Sequence, residues 1–171
     1  DRVESYKRFR PSYTTEVIDY IFSGFGLLRD STIADVGSGT GISTEKLIGR
    51  CKRVYAVEPN REMRIAAEEK LSSFESYVSV AGTSEDTSLD DTSVDAITVA
   101  QAFHWFNIDK TRTEFRRVLK KDSFVFLIWN NRISNTPFLK AYNEILLERI
   151  PEYKVVDHKN VTEDIIRDFL V

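Results

Sequence analysis

The chain has 171 residues, 42% of them apolar and 30% charged, with a formal net charge of −3. That composition excludes a disordered chain and is enough for one domain with a real core, while no apolar run reaches the roughly 20 residues of a membrane helix. One cysteine, Cys51, and two histidines, His104 and His158, exclude an internal disulfide and argue against a Cys/His metal centre. The negative balance leaves no electrostatic footprint for nucleic acid. No signal-peptide pattern opens the chain, and the single cysteine fits a reducing, cytoplasmic setting. Residue 1 is Asp, which reads as a trimmed N-terminus and leaves an upstream targeting segment open.

In chain order, Pro11 and Ser12 precede Val17, Ile18, Ile21 and Phe22, whose i, i+4 pairing predicts a helix with those four on one face. Thr32–Val36 reads as a buried strand ending in a glycine turn, and Ser43–Arg50 as a short helix. Arg53–Glu58 is a second strand. Asn60 is placed to cap a helix over Arg61–Leu71, with Met63, Ala66 and Ala67 facing inward. Tyr77–Ala81 and Val94–Ala100 are further strands. Between them, Glu85, Asp86, Asp90, Asp91 and Asp95 make an acidic run, either solvated or suited to a cationic ligand. Asn107 caps a helix through Leu119, with Ile108, Phe115, Val118 and Leu119 on its apolar side, and Phe124–Asn130 is the fifth strand. Thr136-Pro137 starts a helix presenting Phe138, Tyr142, Ile145 and Leu146 that stops at Pro151, and a last helix begins near Thr162. No repeat or linker divides the chain, so residues 1–171 read as a single domain. Its core spans 30–130, with an N-terminal helical segment over 6–25 and a helical part of a substrate or lid region over 131–171. Alternating strands and helices predict an α/β fold, a doubly wound, mostly parallel sheet covered on both faces. Such sheets bind ligands at the carboxyl ends of their strands.

The turn Gly37-Ser38-Gly39-Thr40-Gly41 follows the first strand directly. Three alternate glycines suit a close backbone approach by a ligand better than a plain tight turn. The dinucleotide fingerprint G-x-G-x-x-G is only partly met, because the third glycine comes one position early. Glu58 ends the second strand, where a carboxylate can accept from both hydroxyls of a ribose. Turn and carboxylate together specify an adenosine-type ligand.

The segments ADVGSGTG, YAVEPN and VAGTSEDTSLDDTSVDAITVAQAFHWF, with YKRFRPSY near the start, resemble the class I S-adenosylmethionine-dependent methyltransferases of the type 11, small-molecule branch, over roughly residues 6–130. The resemblance implies a Rossmann-like fold with S-adenosylmethionine as cofactor, S-adenosylhomocysteine as product and a small-molecule methyl acceptor. It implies that Asp35, Gly37, Ser38 and Gly39 hold the methionine part, and that Glu58 holds the ribose. Pro59 and Met63 would pack on the adenine, and Thr83, Ser84 and Glu85 would meet its edge. Gln101, Ala102 and Phe103 would border the methyl group. Tyr6, Arg10 and Tyr13 match the N-terminal segment, with Arg10 placed to pair with a carboxylate of cofactor or substrate. The resemblance also implies a reversed pair of strands at the sheet edge that residues 131–171 do not supply.

The chemistry of the side chains agrees with a sulfonium ligand. Asp35 suits an ammonium, and Phe103 and Trp105 can face a cation or pack in the core. His104, directly after the fourth strand, is placed to take a proton from an acceptor near neutral pH or to bond a nearby loop. Two other functions compete: an NAD-dependent oxidoreductase, and a binding domain that keeps the fold without turnover.

Overall fold

The computed structural model describes residues 12–130, 136–150 and 161–170. Five strands, β1 (Thr32–Val36), β2 (Arg53–Val57), β3 (Tyr77–Val80), β4 (Val94–Ala100) and β5 (Leu119–Ile128), form one sheet in the order β3-β2-β1-β4-β5. Every neighbouring pair is parallel. The helices are α1 (Thr15–Gly24), α2 (Ile42–Leu47), α3 (Arg61–Leu71), α4 (Ile108–Val118), α5 (Pro137–Arg149) and α6 (Glu163–Leu170), with a 3₁₀ turn at Phe103–Trp105. This is the doubly wound, Rossmann-like sheet that the alternation predicts. Strand order reverses between β1 and β4, whose carboxyl ends therefore open a crevice.

Side-chain alternation along the strands divides the core in two. Ile33, Val54 and Ala96 meet Ile18, Ile21 and Leu47 of α1 and α2 on one face. Ala34, Val57, Ile97 and Val99 meet Phe115, Val118 and Phe169 of α4 and α6 on the other. Phe169 lies 4.9 Å from Phe103 and 5.8 Å from Phe115, ring centre to ring centre. The last helix is thus tied into the core beneath α4.

Asn60 and Asn107 cap as expected, accepting from the Met63 and Lys110 amides at 3.1 and 3.2 Å. Thr136 accepts from the Leu139 amide at 3.3 Å, with Pro137 at the first helical position. Four details depart from the sequence reading. Val17 stays exposed while Ile18 and Ile21 are buried, because α1 starts at Thr15 and lays a narrower stripe on the sheet. Helix α2 stops at Leu47, where Ile48 leaves helical geometry ahead of Gly49 at φ +78°. Strand β5 begins at Leu119 rather than Phe124. Leu119 pairs with Val94 and Phe124 with Ala96, so the residues between bulge outward through Asp122 at φ +59°. The apolar face of α5 is at most half-buried, with Phe138, Tyr142 and Ile145 exposed.

Candidate functional site

Gly37 and Ser38 leave β1 and donate their amides to the Val57 carbonyl at 2.9 and 3.1 Å, which fixes the turn to the end of β2. The Gly41 amide returns to the Ser38 carbonyl at 3.0 Å. The three glycines serve different neighbours. A Cβ on Gly37 would lie 2.5 Å from that of Ala102, and one on Gly41 2.6 Å from Leu71 Cδ1. A Cβ on Gly39 would meet only Met63 Sδ, at 3.9 Å. Gly37 and Gly41 therefore let protein approach, and Gly39 faces open space.

That space is a cleft of about 660 Å³, within the range of small-molecule sites. Glu58 forms one wall. Its Oε2 accepts from the Gly39 amide and its Oε1 from the Asn60 amide, both at 2.9 Å, so the carboxylate is held in place while buried to 7% exposure. Each oxygen keeps a further lone pair for a ligand hydroxyl. Pro59 and Met63 continue this wall at the start of α3.

The loop after β3 supplies the opposite wall with Thr83, Ser84 and Glu85. It is moored to α4 by three polar links. The Asn107 amide donates to Glu85 Oε1 at 2.9 Å, the Thr111 hydroxyl donates to Ser84 Oγ at 3.1 Å, and buried Glu114 accepts from the Thr87 amide at 2.8 Å and its hydroxyl at 2.5 Å. Burial pushes the Glu85 carboxyl up, and its hydrogen bonds, led by the Asn107 amide, outweigh that and hold it below the usual range. Glu114 follows the same logic: hydrogen bonds from Arg117 and Thr87 overcome its burial and bring it down to about 2.

Ala100, Gln101, Ala102, His104, Trp105 and Phe106 close the cleft at the end of β4, with Tyr13 nearby. Gln101 has φ +58°, an uncommon backbone state for a residue with a side chain. Its amide donates to the Ile128 carbonyl at 2.9 Å and its side-chain Nε2 to the Asn130 carbonyl at 3.2 Å, tying β4 to β5 at the rim. The His104 and Trp105 rings lie 4.9 Å apart, and Trp105 is 65% exposed.

Gly37, Ser38, Gly39, Glu58, Pro59, Met63, Thr83, Ser84, Glu85, Gln101, Ala102 and His104 thus surround one cleft. Two residues expected there lie elsewhere. Asp35 is fully buried behind the turn, its Oδ2 accepting from Thr44 Oγ1 at 2.6 Å and its Oδ1 from Thr98 Oγ1 at 2.9 Å. It does not line the cleft, and its two carboxylate oxygens are turned to hydroxyls of α2 and β4. Phe103 is fully buried against Trp129 and Phe169 because the 3₁₀ turn points its ring into the core. Tyr6 and Arg10 lie outside the described residues. No described residue beyond Phe106 lines the cleft, so α5 and α6 form no part of its wall. Thr40, Ile42, Ser43 and Asn60 do line it and were not singled out as ligand contacts. Their only sequence signal is adjacency to the turn and to Glu58. Among the described residues there is no cluster suited to a metal ion, and no helix long and apolar enough to cross a membrane.

Residues 34–127 match the family model described as a methyltransferase domain. An uncharacterised methyltransferase of Mycobacterium tuberculosis is 36% identical over 144 residues, which are 84% of this chain and 56% of that protein. The crystal structure of a SAM-dependent methyltransferase from Aquifex aeolicus is similar at 25% identity and TM-score 0.59, over 76% of this chain and 77% of that one. A crystal structure from Methanococcus maripaludis shares the fold at 20% identity and TM-score 0.72, over 99% of this chain and 78% of that one. The chain spans about half the length of the curated relatives it matches.

Proposed function

The chain belongs to the class I methyltransferases of the type 11 family, and from that premise we propose that it takes part in methyl transfer from S-adenosylmethionine to a small-molecule acceptor. The observation that carries this reading is the Glu58 carboxylate, fixed by two amides beside the open Gly39 at the sheet's switch point. A carboxylate so held is preorganised to accept from both ribose hydroxyls, and costs no reordering when the ligand arrives.

Residues present fit the cofactor's parts. Pro59 and Met63 offer an apolar surface to the adenine, and the moored loop offers Ser84 and Glu85 to its edge. Gly39 leaves room for the amino-acid tail. Trp105, rather than buried Phe103, is an aromatic face of the cleft available to a cation. Asp35 acts from behind, holding β1, β4 and α2 together under the turn. When bound, the cofactor supplies a methyl group already activated by its sulfonium. The protein's share is then to position an acceptor against that methyl and to exclude water, which can supply several kcal/mol, roughly 7–11 at the limit. Gln101, Ala102 and His104 border the acceptor side, and His104 takes the proton from an acceptor that must lose one. Arg10 pairs with a carboxylate of cofactor or substrate in this reading. The size of the cleft and the absence of a net positive charge support a small acceptor over a nucleic acid.

Thermal and urea melts with S-adenosylhomocysteine or NAD test the proposal. S-adenosylhomocysteine at 100 times its Kd is expected to add about 2.7 kcal/mol of stability, and Glu58→Ala to weaken its binding. Stabilisation by NAD alone would overturn the reading.

A further inference from the structure

Four described residues other than glycine have positive φ. Ser88, Thr92 and Asp122 are exposed and stand away from the cleft. Gln101, at φ +58°, lines it. The twist there carries the chain out of β4 towards the 3₁₀ turn that seats Phe103 in the core. Glycine would take that twist without cost, and Asn or Asp would take it more readily than Gln. A strained backbone kept beneath a long amide side chain points to a use for the amide.

The amide is also oriented. Its Nε2 donates to the Asn130 carbonyl at 3.2 Å. A carbonyl can only accept, so the nitrogen faces Asn130 and the oxygen is turned from it. Among the described residues no group donates to that Oε1. The described walls of the cleft carry two carboxylates, Glu58 and Glu85, and no lysine or arginine. An acceptor oxygen without a partner thus lines a space that supplies an anionic group with no counter-charge from those walls.

We propose that Gln101 positions the methyl acceptor, its Oε1 accepting a hydrogen bond from an O–H or N–H of a neutral substrate. The proposal rests on the methyltransferase reading above and deepens it by naming the acceptor class: an alcohol, a phenol or an amine rather than a carboxylate. An amide oxygen is too weak a base to take the proton. It fixes the direction of the O–H or N–H bond, which leaves a lone pair of the same atom for the methyl carbon. The exposed ring of Trp105, on the same rim, gives the body of such a molecule an apolar face.

The experiment is an NMR titration at pH 7 of the chain saturated with S-adenosylhomocysteine. The probes are phenol and anisole, aniline and N,N-dimethylaniline, and benzoate. Wild-type protein is expected to bind phenol and aniline about fivefold more tightly than their methylated counterparts, and benzoate least. The side-chain amide resonance of Gln101 should move with phenol and stay with anisole. Gln101→Met keeps the bulk but loses the oxygen, and should bind the members of each pair alike. Gln101→Glu keeps an acceptor oxygen and should keep the preference. Gln101→Gly should lose it while melting no lower than wild type, because its backbone is relieved. Equal binding of the paired probes by wild type, a preference for benzoate, or no binding of any probe overturns the proposal. So does a preference that Gln101→Met retains, or a Gln101→Gly variant that melts several degrees lower, which would make the side chain a structural tie to Asn130. The S-adenosylhomocysteine titration is read first: failure there overturns the cofactor reading, whereas failure of the probes alone overturns only the role of Gln101.

Discussion

At the scale of single residues, the glycine turn shows how one repeated letter covers separate physical needs. All three glycines have positive φ, between +56° and +79°, so alanine at any of them carries a backbone cost. At Gly39 that cost stands alone, about 1–2 kcal/mol. At Gly37 the new methyl also strikes Ala102 Cβ, which has no rotamer to move away. Gly37→Ala is therefore expected to cost about 2–4 kcal/mol. Gly39→Ala should stay folded but lose S-adenosylhomocysteine affinity, because its methyl intrudes on the cleft. Urea denaturation paired with titration separates the two outcomes. The turn itself was legible from its spacing. The division of labour within it was not, because Ala102 and Leu71 reach it only through the sheet and α3. The surroundings of Asp35 were hidden for the same reason: Thr98, one of the two hydroxyls that enclose it, reaches it only through the sheet.

At the scale of elements, α4 does more than cover the sheet. Its apolar residues were plain from their spacing, and Asn107 from its capping position. Thr111 and Glu114 were not, because a search for apolar periodicity passes over polar residues on the inner face. They hold the loop that walls the cleft. Removing the Glu114 carboxylate leaves the buried Thr87 amide without its acceptor, a loss of about 1–3 kcal/mol. Glu114→Ala is expected to loosen the loop, seen as faster hydrogen exchange at Ser84 and Glu85. Glu114→Gln, which can still accept from Thr87, should keep most of that protection. Unaltered exchange in the Ala variant would remove the mooring role.

At the scale of the whole molecule, two buried carboxylates give stability opposite dependences on pH. Burial pushes Asp35 from its ordinary 3.8 up to about 6, against the hydrogen bonds of Thr44 and Thr98. Between those values the folded protein keeps a proton that the unfolded chain has released. Stability therefore falls as pH rises through that window, by a loss on the order of 3 kcal/mol in full. Glu114, held at about 2 against an ordinary 4.5, contributes stability above the higher value that is lost as pH falls towards the lower. The expected profile peaks in mild acid. Asp35→Asn should flatten its neutral side and Glu114→Gln its acid side, as read from urea midpoints across pH. A wild-type profile rising steadily to neutrality would contradict the Asp35 assignment. The sheet's class was readable from alternating strands and helices. The long bulge that starts β5 was not, since Lys120–Ser123 look like a loop until Leu119 is seen pairing with Val94.

The parallel pairing of β1 with β4 sets Asp35 beside Thr98, partners 63 positions apart in the chain. Closing so wide an interval is entropically slow and cannot begin before the later strand has been synthesised. Until then the aspartate has only its partners in α2, led by the Thr44 hydroxyl, and the crevice has one bank. In the proposed function, the seat for a nucleoside is therefore complete only once β1 and β4 have paired.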